Sequence, residues 1–249
     1  MDLTLALDPA RLFRRANSFA PDPWQVRVLR SQARQILLNC SRQAGKSTVT
    51  ACLGLHAALY QAPALVLIVT PTLRQSQEVF KRVQEGYRVI APDVPPLAES
   101  ALRLELPNGS RIIALPGDES TIRSYSAVAL LIVDEASRVP DPVYHAVRPM
   151  LAVSQGRIVV LSTPFGQRGF FHDAWVNGGL AWHRESVPAT QIPRIPPAFL
   201  EEERRALGPW YGQEYECSFM DNQFQLYSTS DIDQAVRSDV LPLFGAMHV

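Results

Sequence analysis

Lysine occurs only twice in this 249-residue chain, and one of the two, Lys46, lies in Cys40-Ser41-Arg42-Gln43-Ala44-Gly45-Lys46-Ser47-Thr48. An apolar run, Ile36-Leu37-Leu38, precedes this stretch, and a helical run from Thr48 to Tyr60 follows it. Strand, tight loop and helix is the context of a phosphate-binding loop. Backbone N–H groups of such a loop face a phosphate, helped by the positive end of the helix dipole. Lys46 is then placed for the β- and γ-phosphates of a nucleotide, and the Ser47 hydroxyl for Mg²⁺. The match to G-x-x-x-x-G-K-[ST] is incomplete, because Cys40 takes the first glycine position. An ordinary strand–turn–helix shares the same outline, so the loop needs a second motif beside it.

Leu130-Leu131-Ile132-Val133-Asp134-Glu135 supplies one. Open α/β sheets bind ligands at the carboxyl ends of their strands. There, Asp134 suits Mg²⁺, and Glu135 suits polarising a water for attack on a γ-phosphate. Alone, the pair reads equally well as a strand leaving the core; with Lys46 and Ser47 upstream it reads as a Walker B partner. Ser162-Thr163-Pro164 ends the next apolar strand, beside the same pocket.

The elements that must position these groups follow from pattern. Asp22-Pro23-Trp24-Gln25 starts a helix, with Asp22 as N-cap and Pro23 in the first turn. Strands are expected at 34–39, 64–69, 128–133 and 157–161, continuous apolar runs of the kind buried on both faces of a parallel sheet. Asn108-Gly109 between alternating apolar residues marks a hairpin. Helices are expected at 73–89, 142–150, 169–177, 199–207 and 209–217. The alternation of strands and helices points to an α/β fold class, with a mainly parallel sheet flanked by helices. The division expected is an N-terminal arm (1–19) with a short amphipathic helix, a core (20–180), a small helical lid (181–220) and a weakly patterned tail (221–249).

Composition excludes little. The chain is 47% hydrophobic, enough for a substantial core. It carries 24 basic and 24 acidic residues, so whole-chain charge gives no case for a polyanionic partner. Arg74, Lys81, Arg82 and Arg88 read either as a basic helix face for DNA or as solvated side chains. Cys40, Cys52 and Cys217 lack metal-ligand spacing and fit free thiols in a reducing compartment. No apolar run approaches the roughly 18 residues of a membrane span.

Taken together, the Cys40–Ser47 loop, the Leu-Ile-Val-Asp-Glu-Ala strand end and Ser-Thr-Pro-Phe-Gly resemble the ATPase domain of a tailed-bacteriophage large terminase subunit. The resemblance covers roughly residues 20–235. That family tolerates a non-glycine at the first loop position and commonly carries Arg-Gln within the loop. The resemblance implies a P-loop NTPase of the additional-strand, RecA-like type. It also implies ATP and Mg²⁺ as cofactors, with Ser41, Arg42, Gln43, Ala44, Gly45, Lys46, Ser47 and Thr48 around the phosphates. Pro23-Trp24-Gln25 is similar to the adenine-reading glutamine motif, although Gln25 also reads as a plain helix residue. Arg42 resembles the loop arginine that senses the γ-phosphate, and Thr163 the residue that couples nucleotide state to movement. Arg123 stands where these motors place an arginine finger, with Ser124 in place of the usual glycine. Trp210 to Glu216 resembles the helix that closes the lid.

The function so implied is ATP hydrolysis driving double-stranded DNA into a procapsid, in the cytoplasm of an infected bacterium. The implied partners are DNA, a portal protein, a small terminase subunit and further copies of the chain in a ring, although isolated domains of such motors can be monomeric. Large terminases typically continue into a nuclease domain. This chain ends about where that domain would begin, and Asp231, Asp233 and Asp239 read as surface or capping residues. DNA cleavage is therefore not expected of it. Two other functions share the motifs: a helicase-like DNA translocase, for which the chain is short of a second core domain, and a nucleotide-binding assembly subunit with little turnover.

Overall fold

The computed structural model describes residues 2–117, 122, 125–220 and 235. Arg123, its neighbours Thr121 and Ser124, and the tail aspartates Asp231, Asp233 and Asp239 lie outside the described residues. Among the described residues, eight strands form one sheet in the order β3-β4-β5-β2-β6-β7-β1-β8. They are β1 (Gln35–Cys40), β2 (Leu65–Thr70), β3 (Ala98–Glu99), β4 (Arg103–Glu105), β5 (Arg111–Pro116), β6 (Leu130–Asp134), β7 (Arg157–Ser162) and β8 (His183–Val187). From β5 across to β8 every neighbouring pair is parallel. The β3 and β4 strands make an antiparallel edge, with β4 and β5 joined through the Asn108-Gly109 turn.

β7 lies between β1 and β6. This inserted strand is the additional-strand arrangement expected of the fold class. It spaces the phosphate loop, which follows β1, from the carboxylates that end β6, and sets its own end, Thr163, between them.

Alternate strand residues serve opposite faces, as a pleated strand requires. Ile36, Leu38, Val66 and Ile68 join one buried cluster, with side chains of α2 (Pro9–Asn17), α3 (Pro23–Arg30), α4 (Lys46–Tyr60) and α5 (Leu73–Ile90). Leu37, Leu67, Val69, Leu131 and Val133 join the other, with α6 (Asp141–Val147) and α7 (Gly169–Asn177). Helices on both faces make the sheet doubly wound.

Two boundaries differ from the expected ones. The N-terminal segment is not a free arm. It forms α1 (Leu3–Leu7) and α2, and Leu12 and Phe13 are fully buried against the core. The reason is the amphipathic face of α2, which covers α4, a helix apolar nearly all round with little charge to turn to water. The sheet also runs past residue 180, because β8 pairs in parallel with β1 from Ile36↔His183 to Cys40↔Val187. Trp182 to Val187 reads as strand-like from sequence, but its polar His-Arg-Glu-Ser-Val pattern, that of an edge strand, does not mark it as part of the core sheet. Beyond it lie α8 (Pro197–Leu207) and α9 (Trp210–Tyr215), two helices in the stretch for which the sequence suggests a lid. No helix among the described residues is long and apolar enough to cross a membrane.

Candidate active site

β1 delivers the chain into the loop with Cys40 fully buried. The left-handed backbone of the loop falls on Gln43 (φ 58°) and Gly45 (φ 90°), whereas Cys40 ends its strand without a positive φ. The first motif position therefore asks for no glycine here. Burial pushes the Cys40 thiol up, out of the range of a reactive thiolate. Gly45 is the position that needs its hydrogen: a Cβ there would stand 2.8 Å from Gln25 Nε2.

Lys46, the first residue of α4, is buried, and its ammonium collects three partners from three strand ends. Nζ donates to Thr163 Oγ1 at 2.8 Å, after β7, and to Ser41 O at 3.3 Å, after β1. It lies 3.7 Å from Glu135 Oε1, after β6. Ser47 Oγ donates to Asp134 Oδ2 at 3.4 Å. Asp134 also accepts from the Glu135 N–H at 2.9 Å. That bond holds Glu135 in a left-handed conformation, φ 51° and ψ 42°, which non-glycine residues adopt under local constraint and often at functional sites.

Burial pushes the Asp134 carboxyl up to about 6, and the Glu135 carboxylate adds to the effect; Lys46, the Glu135 N–H and Ser47 act against it. A buried carboxylate and a hydroxyl this close form a hard oxygen-donor pair, and they fit Mg²⁺, which takes few protein ligands and fills the rest with water and phosphate. Among the described residues no group of three or more His, Cys, Asp or Glu could hold a metal instead. The turn after Glu135 is tied to β7: Ser137 N donates to Ser162 Oγ at 3.1 Å and Ser137 Oγ to Thr163 O at 2.8 Å.

A cavity of about 580 Å³ opens above these groups. Its floor is the loop from Gln43 to Thr48 with Glu135 and Thr163, and Arg42 stands at its outer end. Gln75, Arg82, Arg138 and Glu214 complete the wall, and sequence reasoning gave none of these a role at the nucleotide. Arg138 carries its guanidinium 4.1 Å over the Phe165 ring. Glu214 belongs to α9 and grips the loop twice, accepting from Arg42 N at 2.9 Å through its carbonyl and lying 3.4 Å from Arg42 Nε through Oε2. Arg82 faces this cavity, and Lys81 and Arg88 lie within reach of Glu85 and Glu99.

Gln25 and Ser41 sit behind the wall. Gln25 is buried; its Oε1 accepts from Asp22 N at 2.8 Å, closing a helix cap, and Nε2 points to Gly45 O at 3.5 Å. Ser41 is fully buried and contributes its backbone carbonyl to Lys46.

Residues 37–234 match the family described as terminase large subunit, T4likevirus-type, N-terminal. By sequence, the chain is 24% identical over 263 aligned positions to the terminase large subunit of Thermus virus P23-45, across 91% of this chain and 54% of that protein. It thus spans about half the length of the relatives it matches by sequence. Among solved structures, the large terminase ATPase domain of Thermus phage P74-26 superposes with a TM-score of 0.74 at 21% identity, covering 86% of this chain and all of that one. The large terminase of another thermophilic bacteriophage, solved in complex with ATP-gamma-S, gives 0.63 at 11% identity, over 80% of this chain and 53% of that one. These likenesses establish a shared fold. The family match takes in the phosphate loop, both carboxylates and Thr163: the chain belongs to the N-terminal family of T4likevirus-type terminase large subunits.

Proposed function

We propose that this chain is an Mg²⁺-dependent ATPase whose turnover drives double-stranded DNA into a procapsid. The observation that carries the reading is the convergence of Lys46, Ser47, Glu135 and Thr163 on one cavity at the carboxyl edge of β1, β6 and β7, with Asp134 buried beside it and hydrogen-bonded to Ser47. Their types and order match the needs of phosphoryl transfer, where catalysis is positioning and electrostatics more than covalent chemistry. One structural relative is described in complex with ATP-gamma-S, a nucleotide analogue, which supports ATP as the substrate.

In this reading the loop N–H groups from Arg42 to Ser47 cradle the phosphates. Lys46 leaves its internal partners to donate to β- and γ-phosphate oxygens. Glu135 accepts a hydrogen bond from the attacking water and orients it in line with the γ-phosphorus. Ser47 and Asp134 would hold Mg²⁺, which would supply further positive charge at the phosphate oxygens. Arg42 contacts the γ-phosphate, and Thr163 exchanges Lys46 for the nucleotide and so reports its presence to β7. Arg123 serves as the finger of a neighbouring copy in a ring, by resemblance of its position. Portal protein, small terminase subunit and the host cytoplasm as the place of action rest on the family alone.

Steady-state phosphate release tests this reading. Wild-type protein should release phosphate from Mg-ATP, faster with double-stranded DNA present, and Glu135→Ala should lower the rate by about 10²–10⁴-fold. Equal rates near zero for both proteins, with ATP still bound, would mark the chain as a nucleotide-binding assembly subunit.

A further inference from the structure

We infer that Arg194 is a positioning residue for the nucleotide, clamping the segment around Gln25 to the phosphate loop. The inference rests on the nucleotide-site reading above. Arg194 lies in the proline-rich stretch between β8 and α8, anchored by Ile192, which is buried in the same cluster as Cys40 and Ala44. Its guanidinium faces two ways. Nη1 donates to both carboxylate oxygens of Asp22, at 2.7 and 2.6 Å. Nη2 donates to the carbonyl of Ala44 at 3.3 Å, inside the phosphate loop.

Asp22 is the residue whose N–H binds Gln25, and the Gln25 amide lies beside Gly45. The contacts thus close a ring: connector to helix cap, cap to glutamine, glutamine to loop, and loop back to connector. The two routes end on successive carbonyls, Ala44 O and Gly45 O, where the backbone turns left-handed just before Lys46. A planar fork with separate donors can hold a carboxylate and a carbonyl together, which a single ammonium does poorly.

Asp22 is nearly buried, while almost half of the Arg194 side chain is exposed. A half-exposed ion pair contributes little to overall stability. Its consequence is local: it fixes the height and tilt of the loop that receives the phosphates. Loss of the clamp removes an interaction that favours bound substrate and transition state alike, so it weakens binding without slowing the chemical step.

The test is a titration of the intact chain with a mant-labelled ATP analogue and Mg²⁺, followed by steady-state kinetics. Arg194→Ala should weaken binding and raise KM by about tenfold while kcat stays within about twofold, and Arg194→Lys should recover part of the loss. Asp22→Asn should match Arg194→Ala, and the double variant should be no weaker than either single one. Unchanged affinity, a fall in kcat at unchanged affinity, or additive losses in the double variant would each overturn the clamp. If Arg194→Ala does not fold, Arg194→Gln carries the same test: weaker binding at retained kcat supports the inference and wild-type binding overturns it. A wild-type protein that neither binds the analogue nor turns over ATP sinks the ATPase reading itself. A wild-type protein that does both, with Arg194→Ala indistinguishable from it, sinks only the clamp.

Discussion

At the inner end of the proposed nucleotide cavity Lys46 is buried and hydrogen-bonded to Thr163 at the end of β7, and Asp134 is buried and accepts from Ser47 and from the Glu135 N–H. At its outer end Arg42, with two-thirds of its side chain in solvent, meets Glu214 from α9 across 3.4 Å. The inner groups hang from a parallel sheet whose strands are apolar on both faces, so their spacing is set by backbone pairing. The outer groups come from a loop and a short helix, held by one backbone hydrogen bond and an exposed ion pair that water and salt weaken. The difference divides the labour. A rigid floor suits charge stabilisation, which depends on preorganised donors. A loosely held wall suits closing over a substrate and reopening.

Three substitutions probe that division. The largest effect falls on the floor: Lys46→Ala should lower turnover by at least about a hundredfold, read as steady-state phosphate release, because a preorganised donor is lost. A loss of only a few fold would mean that the floor is not where the charge is met.

The second effect separates stability from activity. Asp134 is raised to about 6 when folded, from 3.8. A carboxyl raised by folding is a liability above its folded value, where a buried charge must be maintained, and ceases to be one below its unfolded value, where both states are protonated. Asp134→Asn should therefore stabilise the protein by about 2–3 kcal/mol at pH 8 without metal, and the gain should shrink toward zero as pH falls through 6 to about 4. Urea unfolding at the two pH values measures it, and the same variant should lose ATPase activity. A gain independent of pH would show that the buried charge is not its source.

The smallest effect falls on the wall. Glu214→Gln should change stability by less than about 1 kcal/mol in the same unfolding experiment. A larger loss would show that α9 is fixed to the loop as firmly as the strands are to each other.

The same division decides what could be read from sequence. Lys46, Ser47, Asp134, Glu135 and Thr163 each follow an apolar run at a fixed offset, so strand ends and chemistry are written together. Insertion of β7 between β1 and β6 agrees with the additional-strand class that these motifs imply. Arg194, Glu214 and Arg138 carry no such signal, since their place at the loop is created by tertiary packing of segments with weak periodicity. Asp22 is legible as a helix cap, but its link to Ala44 passes through Arg194, 150 positions from Ala44. The N-terminal helices show the reverse case. Their amphipathic pattern is plain, and the all-round apolar character of α4 calls for a cover, yet the pattern alone does not say which surface α2 joins.

The central claim is that hydrolysis happens on the floor, with Glu135 directing the water. Its most direct test is equilibrium binding of Mg-ATP to Glu135→Ala combined with single-turnover hydrolysis by the same protein. The account predicts affinity within a few fold of wild type and cleavage slowed by about 10²–10⁴-fold. Cleavage at the wild-type rate would contradict it.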